Sequence, residues 1–498
     1  MSLFAISDMR NIFILLFCFC TLGVKAQSNA PIFEFRAAWI ATVENIDWPT
    51  KKGLSTNEQK AEFISLLNLL QSIGMNAVIV QIRPVADAFY PSELEPWSEY
   101  LSGYQGKAPF PYYDPLAFMV EETHKRHMEF HAWLNPYRAV FNLGTSSISP
   151  KHILHKHPDW FFNYAGKKYF NPGLPQARNF IKEVVTDIVK RYNLDAIHMD
   201  DYFYPYPVGN KEIPDNKAYA LYGNNLSKAD WRRSNCDSII NMLSTTIKSI
   251  NPRMKFGISP FGVWRNKSVD TSGSNTKAGL TNYDDLYADI LLWLKRGWID
   301  YVVPQLYWER GHRLCDYDTL LQWWNNHTYG RQLYIGHTLE RVGKEIAWRN
   351  KNELPDEINH LRDYYTTDGS AYFSAGIFKN NPNGWNDSLQ SNYYRLPALV
   401  PPMAWIDSVR PAVPVIIKLE KDKVALSYLG KQPIKGYAVF DISPLVEEKL
   451  DYATMIKIVY KTEKTVLNLN DLNSLEGDKI FVATISEGNN LSEWIRVN

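Results

Sequence analysis

Eight times between Phe35 and about Leu396 a β-rich apolar run is followed by a helical pattern, and this alternation constrains the fold of the 498-residue chain more than any other feature. Strands that alternate with helices are the sequence mark of a parallel sheet covered by helices. The strand runs are Phe35 to Val43, Ala77 to Val85, Glu129 to Tyr137, Ala196 to Phe203, Lys255 to Gly262, Ile299 to Trp308, Gln332 to Leu339 and Ala371 to Phe378. The helical patterns are Gln59 to Ile73, Asp114 to His127, Ala177 to Tyr192, Trp231 to Ile250, Asp285 to Gly297, Tyr317 to His327, Pro355 to Thr366 and a last one near Ser388 to Arg395. Asp114-Pro115 has the chemistry of a helix start, and Gly74 and Gly297 have that of helix ends. Eight repeats point to an α/β protein with a closed (β/α)8 TIM barrel over residues 27–400. An open doubly wound sheet has similar periodicity, but no glycine-rich phosphate-binding turn follows the first strand.

The two ends of the chain differ from this middle. Arg10, the apolar run Ile12 to Leu22 and then Val24-Lys25-Ala26 before Gln27 have the layout of a secretory signal peptide over residues 1–26. That run is short for a membrane span, so no transmembrane segment is expected after cleavage, with a signal anchor as the alternative. The residues before Cys18 and Cys20 are bulky, which argues against a lipoprotein. The expected location is the periplasm or the cell surface. After Pro397, the prolines at 401, 402, 411 and 414 form a stiff linker. Short alternating runs beyond it, such as Val424 to Tyr428, Gly436 to Phe440 and Ile480 to Ser486, read as a small antiparallel β-sandwich of fibronectin-III or immunoglobulin type over residues 401–498. It carries no site chemistry and reads as a packing or spacer module, with glycan or cell-wall binding as the alternative.

A formal net charge of +1 with no run of like charge supplies no field for nucleic acid, so none is expected as a partner. Without its leader the chain keeps only Cys236 and Cys315, far apart in sequence, which reads as two buried free thiols and offers no zinc spacing. No metal or cofactor is expected. The 16 Trp and 30 Tyr suit a cleft that stacks sugar rings, although core packing can absorb many such rings.

Within a barrel of this kind, chemistry gathers at the C-terminal strand ends. The run Ala196 to Tyr206 is the most informative of these ends: a short apolar strand stops at Asp200-Asp201 and passes into Tyr202-Phe203-Tyr204-Pro205-Tyr206. Strand parity puts Ile197 and Met199 on one face and His198 and Asp200 on the other. Asx turns are the plain structural alternative for such an Asp pair. Gln81 and Arg83 share a face on strand two, and His131, Trp133 and Asn135 share one on strand three, followed by Tyr137 and Arg138. Later strands end in Trp264, in Gln305, Tyr307, Trp308 and Glu309, and in His337 and Glu340. Singly, each has an ordinary explanation: His131 as a hydrogen-bonded barrel histidine, Arg83 as an ion-pair partner of a buried Asp, Trp133, Trp264, Tyr307 and Trp308 as wall packing, and Asn135 and Gln305 as partners of backbone groups. Jointly they make a polar, aromatic mouth.

Glycoside hydrolysis requires two carboxyl groups across the bond, a proton donor and a nucleophile or base. Asp200 is the first choice for the ionised member, held charged by a cation such as Arg83. The proton donor is open among Asp201, Glu309 and Glu340. The substrate-binding set is Arg83, His131, Trp133, Asn135, Tyr137, Arg138, His198, Tyr202, Trp264, Gln305, Tyr307 and Trp308.

Seven segments together resemble the bacterial glycosyl hydrolase-like family 10: Phe35-Arg36-Ala37-Ala38-Trp39-Ile40, Gln81-Ile82-Arg83-Pro84, Ala132 to Arg138, Asn171-Pro172-Gly173, Ile197 to Pro205, Ser259 to Arg265, and Pro304-Gln305-Leu306-Tyr307-Trp308. The resemblance implies an exported (β/α)8 glycoside hydrolase, some members being associated with cleavage of peptidoglycan glycan strands. It puts weight on Asp200 and Asp201 and less on Glu309. The expected partner is therefore an extended polysaccharide or glycan strand, with a dietary or host polysaccharide as another substrate. A silent carbohydrate-binding barrel is the non-enzymatic alternative.

Overall fold

A computed structural model describes residues 30–442, 453–461, 465–472 and 479–497. The expected signal peptide, with Cys18 and Cys20, lies outside the described residues. Eight parallel strands close a barrel: β1 (Phe35–Ile40), β2 (Ala77–Arg83), β3 (Glu129–Leu134), β4 (Ala196–Met199), β5 (Lys255–Ile258), β6 (Tyr301–Val302), β7 (Gln332–Thr338) and β8 (Thr367–Phe373). The helices that cover them are α1 (Thr56–Ile73), α2 (Pro115–His124), α3 (Pro175–Arg191), α4 (Lys228–Ile250), α5 (Ile290–Arg296), α6 (Tyr317–Asn325), α7 (Glu353–Arg362) and α8 (Trp385–Ser388). The start and stop chemistry holds. The Asp114 carboxylate accepts from the Ala117 amide with Pro115 in the first turn, and Gly74 and Gly297 end α1 and α5 in the left-handed region.

Several strands stop earlier than their apolar runs. Pro260 and Pro304 have no amide hydrogen to give a ladder, so β5 ends at Ile258 and β6 at Val302. Beyond them the sheet persists only as isolated bridges from Gln305 to Phe261 and Gly336. The eighth strand begins at Thr367, ahead of its expected start, and the chain then turns into a 3-10 helix at Ala375–Asn380. An insertion after β3 was not expected: Arg138–Val140, Phe161–Tyr164 and Lys167–Phe170 form a small antiparallel sheet over the barrel mouth.

Large rings inside the barrel face small residues. Phe35, Trp39, Trp133, Tyr301 and Tyr334 pack with Ala37, Ala77, Ala196 and Ala371 in one buried cluster. Phe35 and Tyr334 stack with centroids 4.0 Å apart. Gly257 on β5 is part of this fit, because a Cβ there would lie 2.0 Å from the Tyr301 ring. A second, larger cluster joins the outward strand residues, Ile197 and Met199 among them, to the helices.

The C-terminal segment has antiparallel strands in two sheets, one ordered Val415–Glu420, Lys423–Ser427, Val466–Asn468 and the other Ala453–Tyr460, Ile434–Ile442, Lys479–Ser486, Ile495–Arg496. Val424, Leu467, Val439 and Val482 put both sheets in one core. The other face of the four-stranded sheet packs Phe440 and Phe481 near Leu399, Ile32 and Phe33, so the chain beside the barrel's first strand covers it. Cys236 and Cys315 are free and buried. Among the described residues no helix is long and apolar enough to cross a membrane.

The contact at Gly257 gives a stability prediction. Gly257→Ala forces a methyl group into the hydrogen-bonded Tyr301 ring and should cost about 1–3 kcal/mol, read as a lowered Tm in calorimetry. An unchanged Tm would mean that the ring yields.

Candidate active site

Parity along β4 decides what faces the barrel axis. Ile197 and Met199 belong to the outer cluster, and His198 and Asp200 turn inward as the alternation requires. An inward polar side chain then needs partners, because an unpaired one in this interior costs on the order of 1–3 kcal/mol. His198 Nε2 accepts from the Trp39 indole at 3.3 Å, and its Nδ1 lies 3.1 Å from the Tyr301 hydroxyl. Tyr301 is also 2.8 Å from His131 Nδ1, and His131 Nε2 is 3.1 Å from Glu129 Oε2. Valence orders this chain. His198 Nδ1–H donates to Tyr301, Tyr301 donates to His131, and His131 Nε2–H donates to Glu129. Burial, followed by the nearness of His131, holds His198 well below the ordinary imidazole range. At the far end burial pushes the Glu129 carboxyl up, but Lys255 at 2.7 Å, the His131 hydrogen bond and the Lys435 charge together outweigh it and hold Glu129 well below the carboxylate range.

One step above His198, Asp200 is 5% exposed and sits in a cradle of donors. The Trp133 indole donates to Oδ2 at 3.1 Å, and Asn135 Nδ2 lies 3.2 and 3.3 Å from the two oxygens. Asn135 is itself aimed by the Arg138 amide, which donates to its Oδ1 at 3.1 Å. Burial raises Asp200, while the Arg138 charge and these donors oppose the rise. Asp201, 3% exposed, has a different environment. It accepts from the Tyr206 hydroxyl, and burial, then the adjacent Asp200 charge, push it up to about 7 against that bond and one from Gln305. Two neighbouring carboxyls thus differ in the charge they prefer. Asp200 has the donors and the cation, and Asp201 is the one that keeps its proton.

Half-buried rings and an amide surround the pair. Arg138 lies 4.4 Å over the Tyr202 ring, and Tyr202, Tyr206, Phe261 and Trp308 follow one another at centroid spacings of 5.4, 6.4 and 5.4 Å. Gln305 donates to the Ser259 carbonyl at 3.1 Å. Tyr307 feels the charges of both Asp201 and the exposed Glu340.

The structure therefore brings Asp200, Asp201, Trp133, Asn135, Arg138, Tyr202, Gln305, Tyr307 and Trp308 together, with Glu340 at the edge. Other candidates lie elsewhere. Arg83 is not the cation beside Asp200: it pairs with Glu95 through two contacts, at 2.7 and 2.5 Å, and donates to the Asn135 and Pro136 carbonyls, bracing the end of β3. His131 and His198 lie in the barrel interior with neither ring nitrogen left for a ligand. Tyr137 turns outward into the strand–helix core. Trp264 stacks on Trp323 as wall packing. Glu309, half-buried, is near enough to α7 for its charge to act on Glu353 and Glu357. His337, sealed between Glu357 at 2.7 Å and Ser370 at 3.1 Å, is structural. Sequence reasoning missed Tyr206 and Phe261 as neighbours of the pair. Both sit in motifs already singled out, but loop geometry selects which ring of the Tyr202–Tyr206 run turns back.

A cavity of about 630 Å³ lies at the opposite, N-terminal end of the barrel, between Glu129, Asp195 and Lys255 and the C-terminal residues Lys435, Tyr460 and Asn489. It is far from the acid pair along the barrel axis and shares none of its residues.

Two stability measurements check these assignments. Arg83→Met leaves Glu95 buried without its cation and should cost about 3–5 kcal/mol in denaturant unfolding, whereas a substrate contact would leave stability unchanged. For Asp201 the sign follows from a folded-state pKa above the unfolded one near 3.9. Its protonated form contributes stability below that value, and the contribution declines as pH rises through about 7. Asp201→Asn should therefore raise Tm relative to wild type at about pH 8 by more than at about pH 5.

Residues 34–352 match the family described as Glycosyl hydrolase-like 10. The chain is 50% identical over 406 residues to Glycosyl hydrolase YngK of Bacillus subtilis (strain 168), a match covering 80% of this chain and 79% of that protein. It is 39% identical over 353 residues to Glycosyl hydrolase DigH of Escherichia coli (strain K12), covering 66% and 79%. Among solved structures, the PgaB (BpsB) glycoside hydrolase domain from Bordetella bronchiseptica aligns at 12% identity with a TM-score of 0.47, over 72% of this chain and 98% of that one. The family match runs from before β1 to beyond β7 and takes in both halves of the acid site, in agreement with the motif resemblance: the chain belongs to the Glycosyl hydrolase-like 10 family.

Proposed function

We propose that the protein is an exported glycoside hydrolase of the periplasm or cell surface that cleaves glycosidic bonds in an extended polysaccharide by two-carboxylate acid–base catalysis. The observation that carries this reading is the split environment of Asp200 and Asp201 at one strand end. Asp201, raised to about 7, donates a proton to the leaving oxygen. Asp200, ionised within its Trp133, Asn135 and Arg138 surroundings, faces the positive charge that develops on the sugar ring. Tyr202, Tyr307 and Trp308 supply ring faces on which pyranose rings stack. Peptidoglycan glycan strands are the first substrate to test, on the strength of the motif resemblance and the leader-like N-terminus, with dietary or host polysaccharide as the other. The second reading, a silent carbohydrate-binding barrel, is favoured by one observation: Asp201 is 3% exposed and covered by the Tyr206 hydroxyl.

Glycan release from denuded peptidoglycan strands and from neutral polysaccharides separates the readings when sugar binding is measured alongside. Wild type should hydrolyse at least one of them, and Asp200→Asn and Asp201→Asn should each lose about 100-fold or more in kcat with binding kept. Equal binding with no turnover by any of the three proteins would establish the silent barrel. In a pH series, kcat/KM should fall as pH rises through about 7, where Asp201 loses its proton. Tyr206→Phe removes a bond that favours the charged form and should move that limb upward.

A further inference from the structure

Four arginines are buried among the described residues, and three have a carboxylate at ion-pair distance: Arg36 with Glu34, Arg83 with Glu95 and Arg232 with Asp215. The fourth, Arg138, is 5% exposed, has no such pair, and its Nε has no hydrogen-bond partner. A buried cation without a counterion costs several kcal/mol unless something else compensates it. Its surroundings compensate only in part. The guanidinium lies over the Tyr202 ring, hydrogen bonds to that residue and feels the Asp200 charge from beyond ion-pair distance. A second cation adds to the imbalance. Lys167, on the hairpin that pairs with Arg138–Val140, places its Nζ 3.7 Å from the centre of the Phe141 ring, and the Arg138 guanidinium is 5.2 Å from the same centre. The two heads are thus at most about 9 Å apart. Burial and the Arg138 charge together lower the Lys167 pKa. The exposed Glu44 opposes them through its field, yet it too stays beyond ion-pair distance.

We propose that Arg138 and Lys167 form a subsite at the barrel mouth for a carboxylate carried by a sugar residue of the substrate, next to the bond that the acid pair attacks. The inference rests on the glycan-substrate reading above and adds a charge requirement to it. A planar guanidinium with a free donor suits an oxyanion, and an ammonium on a half-buried stem supplies a second point charge. Phe141 lies against both cations, so one ring holds the two heads on the same sheet. The chemistry fits a carboxyl on the ring, as in a uronic acid, or one on an ether substituent, as in muramic acid.

The test compares denuded peptidoglycan strands, the same strands with their carboxyls reduced to alcohols, and a polyuronate, using wild type, Lys167→Met and Lys167→Arg. Binding is measured in the Asp200→Asn background and hydrolysis with Asp200 intact. Wild type should favour a carboxylate polymer over the carboxyl-reduced strands about tenfold in affinity or KM. Lys167→Met should lose most of that preference and Lys167→Arg should keep it, a rescue that a packing role for the stem would not show. Preference for either acidic polymer supports the subsite, and the stronger of the two identifies the carboxyl's position. Equal affinity for acidic and reduced polymers, or a preference that survives Lys167→Met, overturns the proposal. The two readings fail separately. Hydrolysis without charge preference removes the subsite and leaves the glycosidase, whereas charge-selective binding without hydrolysis does the reverse.

Discussion

A carboxylate on the axis of a closed barrel can persist only where donors replace the water it has lost, and the site is arranged around that need. Asp200 stands at the end of β4 because strand parity sends every second side chain inward. Below it, His198, Tyr301, His131 and Glu129 form one hydrogen-bonded chain that leaves no ring nitrogen unpaired. Beside it, Trp133 and Asn135 reach across from β3. Removing a member of such a chain would leave its neighbours unsatisfied in a low-dielectric interior, which makes the polar column as much a part of the fold as the apolar rings around it.

The same column explains how one strand end carries two carboxyls with different protonation. Asp200 takes the donors and, from beyond ion-pair distance, the field of the Arg138 guanidinium, which offset part of the effect of its burial. Asp201, one residue later and past the strand, receives that charge as a repulsion and has no comparable cation against it. No separate device is needed to give two identical side chains different protonation, because adjacency and unequal solvation suffice.

Cations in the molecule divide by role in the same way. Arg83 is fully engaged with Glu95 and with the carbonyls of Asn135 and Pro136, and so fixes the turn from which Asn135 reaches Asp200. It supports the site from behind. Arg138, three residues after Asn135, has its backbone in the site and its side chain at the mouth with an unused donor. The insertion that carries Lys167 lies over the same edge. Charge at the mouth is therefore set by an added hairpin, while the acid pair belongs to the barrel itself.

The sequence by itself determined the barrel, its eight strand–helix pairs, the helix caps at Asp114, Gly74 and Gly297, and the acid doublet at the fourth strand end. These follow from periodicity, parity and local turn chemistry, which act over a few residues and leave their mark in order along the chain. The inward face shared by His131, Trp133 and Asn135 was legible for the same reason. What that face touches was not: His131 and His198 became interior links, Arg83 found Glu95, and Trp264 stacked on Trp323. The antiparallel sheet over the mouth, the return of Tyr206 onto Asp201 and the imbalance at Arg138 and Lys167 were decided only by tertiary structure. Partnership between charges depends on distances closed by loops, and loop paths are fixed by packing against the rest of the molecule rather than by any repeat in the residues.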